Sequence, residues 1–238
     1  MGYKVCIDPG HGGYDPGACG NGLQEKDITL DICLQLKPML EFNGIEVCLT
    51  RDGDYAPGNL ENQLNAELTM RSRISNNFGA DLFVAVHVNS GGGTGEEDLV
   101  QGLGGKAEVE ANKLLYYPQQ VDGWYNRGVK VQNVSVLRKT NAPAVLTENG
   151  FIDNAEDTAK LKDPVFITSL AVAHAKGICD YFGMEYKEEG VSNVEEVKVV
   201  EDTDKDIYLS VRVRTSKADA LIAQLIAEGF ATNKLELA

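Results

Sequence analysis

The sequence predicts an α/β fold in which a mainly parallel central sheet lies between helical layers, followed by a small C-terminal β-α-β unit. Three observations carry this. Short apolar runs alternate with helix-length amphipathic segments from residue 1 to about 186. One run, Leu82 to Val88, is apolar at every position except His87, as in a central strand covered on both faces. Beyond residue 186 an acidic stretch leads into a second strand–helix–strand pattern.

Taken in order, "YKVCI" at residues 3–7 is the first strand. Residues 27–44 read as a helix, with Ile28, Ile32, Leu36 and Leu40 four apart and Gly44 just past the end. Pro38 removes a backbone donor late in that helix and predicts a kink. Residues 45–50 form a second strand. Residues 67–79 form a helix on which Leu68, Arg71, Ile74 and Phe78 recur every three or four positions, with Gly79 closing it. The central strand occupies residues 80–90. Residues 90–105, "SGGGTGEEDLVQGLGG", are too rich in glycine for either regular state and read as a mobile surface loop. Residues 142–151 make another strand and residues 163–183 another helix. Residues 187–206 read as an acidic linker, with eight acids and two bases between 188 and 206. Residues 207–213, 217–230 and 231–237 then read as strand, helix and strand. Ala220, Ile222, Leu225, Ile226 and Phe230 would form that helix's buried face. So small a unit has a thin core, so pairing with a second copy (a homodimer) or docking on the main domain is expected.

Composition narrows the function classes. A chain with 43% hydrophobic and 24% charged residues is ordinary for a soluble globular protein. No apolar run approaches the length of a membrane span. The N-terminus has no basic segment followed by an apolar stretch, so no secretory leader and cytoplasmic synthesis are expected. The net charge of −14 argues against nucleic acid as a partner, because phosphates would be repelled. Five cysteines with no C-x-x-C pair read as free thiols in a reducing compartment; Cys6, Cys33, Cys48 and Cys179 sit among apolar residues.

Four residues fall where a parallel sheet binds ligands, at the carboxyl ends of its strands. His11 sits in the "DPGHGG" turn after the first strand, and His87 near the end of the central one. Glu148 lies near the end of the strand at 142–151, and Glu25 opens the first helix. Each also has a plain structural reading. His11 can be a turn histidine, and His87 a hydrogen-bonded core residue. Glu25 can stabilise a helix N-terminus, and Glu148 can pair with Arg71 or Arg127. Together they suit another purpose. Two histidines and one glutamate can hold a catalytic zinc and leave its fourth position to water. A second carboxylate, Glu148, can take a proton from water and return it to a departing amine. That is amide hydrolysis. His174, on the helix face of Ile167, Ala171 and Ile178, reads as a packed histidine. The glycines of the first turn match neither G-x-G-x-x-G nor a P-loop, which leaves phosphate binding weak.

At the level of longer motifs, "DPGHGG", "LTR", "MRSRISNNFGADLFVAVHVNS", "NRGVK", "VLRKTNAPAVLTENGFIDN" and "AVAHAKGICDYFG" resemble the zinc-dependent N-acetylmuramoyl-L-alanine amidases, in order from residue 3 to about 184. The resemblance implies a Zn²⁺ held by His11, Glu25 and His87, with Glu148 as the catalytic carboxylate. It implies residues 1–186 as the catalytic domain and peptidoglycan as the substrate, cut between the muramic acid lactyl group and L-alanine. It implies an enzyme of the phage endolysin or sporulation mother-cell autolysin kind, made in the cytoplasm and acting on the wall after release. Arg51, Arg71, Asn76 and Asn89 fall on recurring family positions and read as framework or groove residues. Ala85-Val86 and "GTGEEDLVQGLGG" depart from the family's usual pattern, and the second of these is expected to border the substrate; Asn149 stands at a position the family varies. The last 45 residues resemble half of a sporulation-related repeat, which implies a wall-binding unit and stands beside the dimerisation reading. The alternative activity is a zinc peptidase acting on stem or cross-link peptides. A wall-binding protein without activity is the reading from another class.

Overall fold

The computed structural model describes residues 2–188 apart from 61, 122 and 123, together with 194–201 and 207–213. Strand β1 (Lys4–Pro9) runs into the glycine turn. A two-residue hairpin follows, β2 (Cys19–Gly20) with β3 (Leu23–Gln24). Asn21 and Gly22 both have positive φ, as a tight two-residue hairpin turn requires. That hairpin delivers the chain into α1 (Glu25–Phe42), so Glu25 is the helix's first residue. The helix runs unbroken through Pro38, which is exposed.

Next come β4 (Glu46–Leu49) and α2 (Leu64–Phe78), which Gly79 ends in the left-handed conformation. Then follow β5 (Leu82–Asn89), β6 (Glu96–Val100), α3 (Lys106–Tyr116) and β7 (Asn126–Val131). The unit closes with α4 (Ser135–Lys139), β8 (Ala144–Phe151), α5 (Ala155–Leu161) and α6 (Pro164–Tyr181). The six-stranded sheet has the order β4-β1-β5-β8-β6-β7. Its first four strands are mutually parallel; β6 runs antiparallel to β8, and β7 parallel to β6.

Strand alternation sorts the core into two layers. Val5, Ile7, Leu82, Val84, Val86 and Val145 pack toward α1, α3 and α6. Cys6, Phe83, Ala85, Ala144 and Leu146 pack toward α2 and α4. The α/β architecture is therefore the expected one, a mainly parallel sheet between helical layers. The cysteines are all free, with Cys6, Cys33 and Cys179 buried and Cys19 exposed. Among the described residues, no helix is long and apolar enough to cross a membrane.

Two expectations need correction. The glycine-rich segment 90–105 is not simply a loop: its middle is β6, with all five residues buried. Three consecutive acids disguised it, because polar residues in a buried strand erase the apolar signal on which strand recognition depends. The acidic stretch 187–206 is not all linker, because Val194–Glu201 forms strand β9, paired antiparallel with β10 (Ile207–Val213). Four valines among its charges give it the β-branched content of a strand. On α2 the fully buried positions are Glu67, Arg71, Ser72 and Ser75, while Leu68, Ile74 and Phe78 are only half-buried. The helix and final strand expected after residue 213 lie outside the described residues. The chain divides into two compact units, Met1–Tyr186 and Lys187–Ala238.

Burying β6 has an electrostatic cost. Glu96 and Asp98 point to the α3/α6 side, where Glu110 of α3 and His174 of α6 are also fully buried. No oxygen of these three carboxyl groups has a hydrogen-bond partner among the described residues. Burial pushes all three well above the usual carboxylate range; the neighbouring Asp98 adds to the effect on Glu96 and Glu110. An acid that stays protonated in the fold but ionises when unfolded lowers stability as pH rises above about 4. Replacing Glu110 with Gln removes one such penalty. Glu110→Gln should raise the thermal midpoint by a few degrees at pH 8 and change it little at pH 4. A midpoint at pH 8 that is unchanged or lowered would contradict the assignment.

Candidate metal centre and the carboxylate beside it

The centre is built on the turn after β1. Gly10 donates its N–H to the Val86 carbonyl at 2.9 Å, which docks the turn onto β5. No side chain fits there, since a Cβ on Gly10 would lie 2.4 Å from the His87 ring. His11 follows in the left-handed conformation, with φ +62°. Two buried guanidinium groups then take the carbonyls that this conformation leaves unpaired. Arg71 donates to Pro9 O at 2.7 Å, His11 O at 2.6 Å and the Asp8 carboxylate at 2.7 Å. Arg51 donates to Pro9 O at 3.0 Å, Gly10 O at 2.8 Å and Lys26 O at 2.8 Å. The last bond ties the start of α1 to the same turn.

Three side chains converge above it. Glu25 accepts N–H bonds from Ala18 at 2.8 Å and Val88 at 3.0 Å, one on each carboxylate oxygen. The same two oxygens lie 3.1 Å from His11 Nε2 and 2.9 Å from His87 Nδ1. The imidazole rings stand at 80° with centroids 5.0 Å apart. One donor atom from each of His11, Glu25 and His87 lies within 4.8 Å of the other two, an arrangement that can hold a metal ion. Gly17 keeps the space open, because a Cβ there would lie 2.6 Å from both Glu25 Oε2 and the His11 ring.

Asp15, not singled out in the sequence, lies 2.7 Å from His11 Nδ1. A carboxylate behind an imidazole fixes the ring and leaves the other nitrogen for a ligand bond. The electrostatics fit a cation. Burial works against the charge on Glu25, but the hydrogen bonds and charges of the two histidines outweigh it and hold the carboxyl well below its usual range. Burial likewise works against a charged His11, yet Glu25 and Asp15 raise the ring to about 9. Protons therefore occupy a place that a divalent cation can take, and metal uptake should release them. Two imidazoles with one carboxylate suit a borderline ion; hard cations prefer all-oxygen sets.

Glu148 stands apart from this trio. It is the direct register partner of His87 across β5 and β8. Its Oε2 is buried and has no hydrogen-bond partner among the described residues. Burial raises it to about 7, with Glu25 and Glu97 adding to the rise and His87 opposing it. The two arginines considered as its ion-pair partners are engaged elsewhere: Arg71 with Asp8 and Glu67, Arg127 with Glu97. Asn89 donates to Glu97 at 3.1 Å, and Glu97 is the register partner of Glu148 on β6. Asn76 bonds the backbone of Lys139 and Asn141 and is framework. His174 is packed as expected, fully buried with its Nε2 2.7 Å from Asn149 Oδ1, and burial lowers it to about 4.

Removing Arg71 would strand Asp8 and Glu67 as buried charges while freeing the carbonyls of the turn. Arg71→Met should therefore cost about 3–5 kcal/mol of stability in denaturant unfolding. A loss under about 1 kcal/mol would show that the turn holds itself.

Comparison with known proteins agrees with this geometry. The N-acetylmuramoyl-L-alanine amidase family model matches residues 5–180. The chain is 38% identical over 230 residues to the N-acetylmuramoyl-L-alanine amidase CwlM of Bacillus licheniformis, covering 95% of this chain and 82% of that protein. It is 44% identical over 186 residues to the sporulation-specific N-acetylmuramoyl-L-alanine amidase of Bacillus subtilis, covering 76% and 69%. The catalytic domain of CwlV, the amidase of Bacillus (Paenibacillus) polymyxa var. colistinus, superposes with a TM-score of 0.69 at 34% identity, over 77% of this chain and 99% of that one. The strand order, the turn and the His–Glu–His trio thus belong to a chain that is a member of the N-acetylmuramoyl-L-alanine amidase family.

Proposed function

We propose that this chain hydrolyses the amide between N-acetylmuramic acid and L-alanine in peptidoglycan, with a zinc ion held by His11, Glu25 and His87 and with Glu148 carrying the proton. The observation behind the proposal is the pairing of a three-residue donor set with a separate, unpartnered carboxyl group one strand away. When bound, zinc supplies Lewis acidity, polarising the substrate carbonyl and making water easier to deprotonate. His11 and His87 act as neutral donors, and Asp15 keeps His11 turned with Nε2 toward the site.

Glu148 does the proton work. Its carboxylate takes a proton from the attacking water as the carbonyl carbon becomes tetrahedral, then delivers it to the departing amine of L-alanine. A carboxyl with a pKa near the working pH can do both. The choice of bond rests on the family and on the likeness to named muramoyl-alanine amidases. Similarity to a sporulation-specific relative supports lysis of the cell wall as the setting. We assign the second unit, Lys187–Ala238, an accessory role, in wall binding or in pairing two copies.

Digestion of purified walls tests the reaction. Free N-terminal L-alanine should appear on intact stem peptides; a new D-amino-acid terminus would instead mean a peptidase. Glu148→Gln should lower kcat by about 10²–10⁴-fold without lowering the thermal midpoint, which should if anything rise above pH 7 as one buried ionisable group is lost. Because Glu148 must be ionised to accept a proton, kcat/KM should fall as pH drops through its pKa. That pKa is about 7 without a cation and lower beside one, so the acid limb should lie at or below about 7. Full activity of Glu148→Gln, or no acid limb down to pH 4, would overturn its role.

A further inference from the structure

Across β6 from Glu148 lies a second charged group whose balance is unusual for so acidic a chain. Glu97 is the register partner of Glu148 and points to the same side of the sheet. It is bonded by Asn89 and by two cations, Arg127 Nε at 2.6 Å and Lys130 Nζ. Two cations on one carboxylate leave a surplus positive charge in a protein with 36 acids against 22 bases. The carboxylate is nearly buried, with 10% of its side chain exposed, whereas Arg127 and Lys130 are 28% and 44% exposed. The positive side of the cluster is therefore the side a ligand can reach.

The backbone is shaped to present it. The β6–β7 register slips between Glu96 and Asp98, so that Arg127 and Gly128 together stand opposite Glu97. Gly128 has φ +83°, and its N–H bonds the Asn126 side chain at 2.7 Å. Such a bulge re-aims the side chain it carries. The Arg127 guanidinium lies 4.8 Å over the Phe151 ring, and its Nη2 has no hydrogen-bond partner among the described residues. It is a guanidinium fixed on two sides and open on the third.

We propose that Arg127 and Lys130, held in place by Glu97, form the subsite that binds a carboxylate of the stem peptide. This rests on the amidase reading above. The carboxyl group of muramic acid is consumed in the amide that is cut, so the substrate's negative charges belong to its peptide. A stem peptide that is not cross-linked through its own C-terminus carries a terminal carboxylate, plus any acidic side group left unamidated. A planar guanidinium with an ammonium beside it is the pair that recognises a carboxylate by charge-assisted hydrogen bonds. Glu97 is a positioning residue here, since it orients the two cations.

The test compares two soluble muramoyl-peptides cleaved by the full-length, metal-loaded enzyme, one with free stem carboxylates and one with those groups as amides. The wild type should prefer the free-carboxylate substrate by about tenfold in kcat/KM, expressed mainly in KM. Arg127→Gln and Lys130→Gln should each pull that preference ratio toward one, and Arg127→Lys should restore part of it. Thermal midpoints of the variants identify a folding defect; Lys130→Gln, at the more exposed position, guards against losing the test to misfolding. Equal wild-type cleavage of the two substrates would overturn the subsite and leave the amidase reading standing. Variants that lose kcat alike on both substrates, with the ratio unchanged, would make the cluster structural and would also overturn it. Cleavage of neither substrate at the muramoyl–alanine bond would remove the amidase reading itself, and the subsite with it.

Discussion

Two guanidinium groups grip the carbonyls of Pro9, Gly10 and His11, and the geometry of the centre follows from that grip. A left-handed histidine between glycines has little conformational preference of its own to hold it. Arg51 and Arg71 replace that missing preference with fixed, charge-assisted donors in a dry environment. The charge of Arg71 is balanced by Asp8 and Glu67 at the base of the turn. Arg51 also reaches the Lys26 carbonyl, so the first turn of α1, which carries Glu25, is anchored to the same point as His11. His87 enters independently from β5, yet Gly10 packs against its ring and donates to the Val86 carbonyl one residue before it. Three ligands from three elements thus share one scaffold.

The two glutamates of the site show how environment assigns roles to identical side chains. Glu25 is buried but surrounded by donors: two backbone N–H groups and two imidazoles. It stays ionised well below the ordinary range, as a metal ligand must. Glu148 is buried without a donor on its Oε2, and its carboxyl rises to about 7, where a proton carrier is effective. Glu97 is the third case: paired with two cations, it falls below the usual range although it neighbours Glu148 in the sheet. Three acids within two adjacent strands and a helix start are thus set apart by their partners, two held ionised and one free to carry a proton.

The legible parts of this protein were those in which a residue interrupts a pattern. His11, His87 and Glu148 break apolar or glycine runs at strand ends, so their convergence at one sheet edge could be anticipated from the alternation of elements. Glu25 could not be told from an ordinary helix-start acid until the hairpin before it was seen to aim it inward. Asp15 carried no signal, because an acid in a D-P-G turn looks like turn chemistry. Arg51 stood out only through resemblance, and Arg71 only as a member of a helix period; charged residues are normally solvated, and nothing local shows that these two are buried. The same blindness hid β6 and β9, whose acids mask strands. In β6 those acids are buried, so a tertiary fact overrode the local pattern.

Hydrolysis by this centre depends on the turn, the helix start and the central strand together holding one zinc ion. Elemental analysis of purified, extensively dialysed protein measures this directly, for the wild type and for a His87→Ala variant whose fold is checked by circular dichroism. The expected result is one zinc per wild-type chain and none retained by the variant. A wild-type protein that takes up no zinc when it is supplied, or a variant that keeps a full complement, would contradict it.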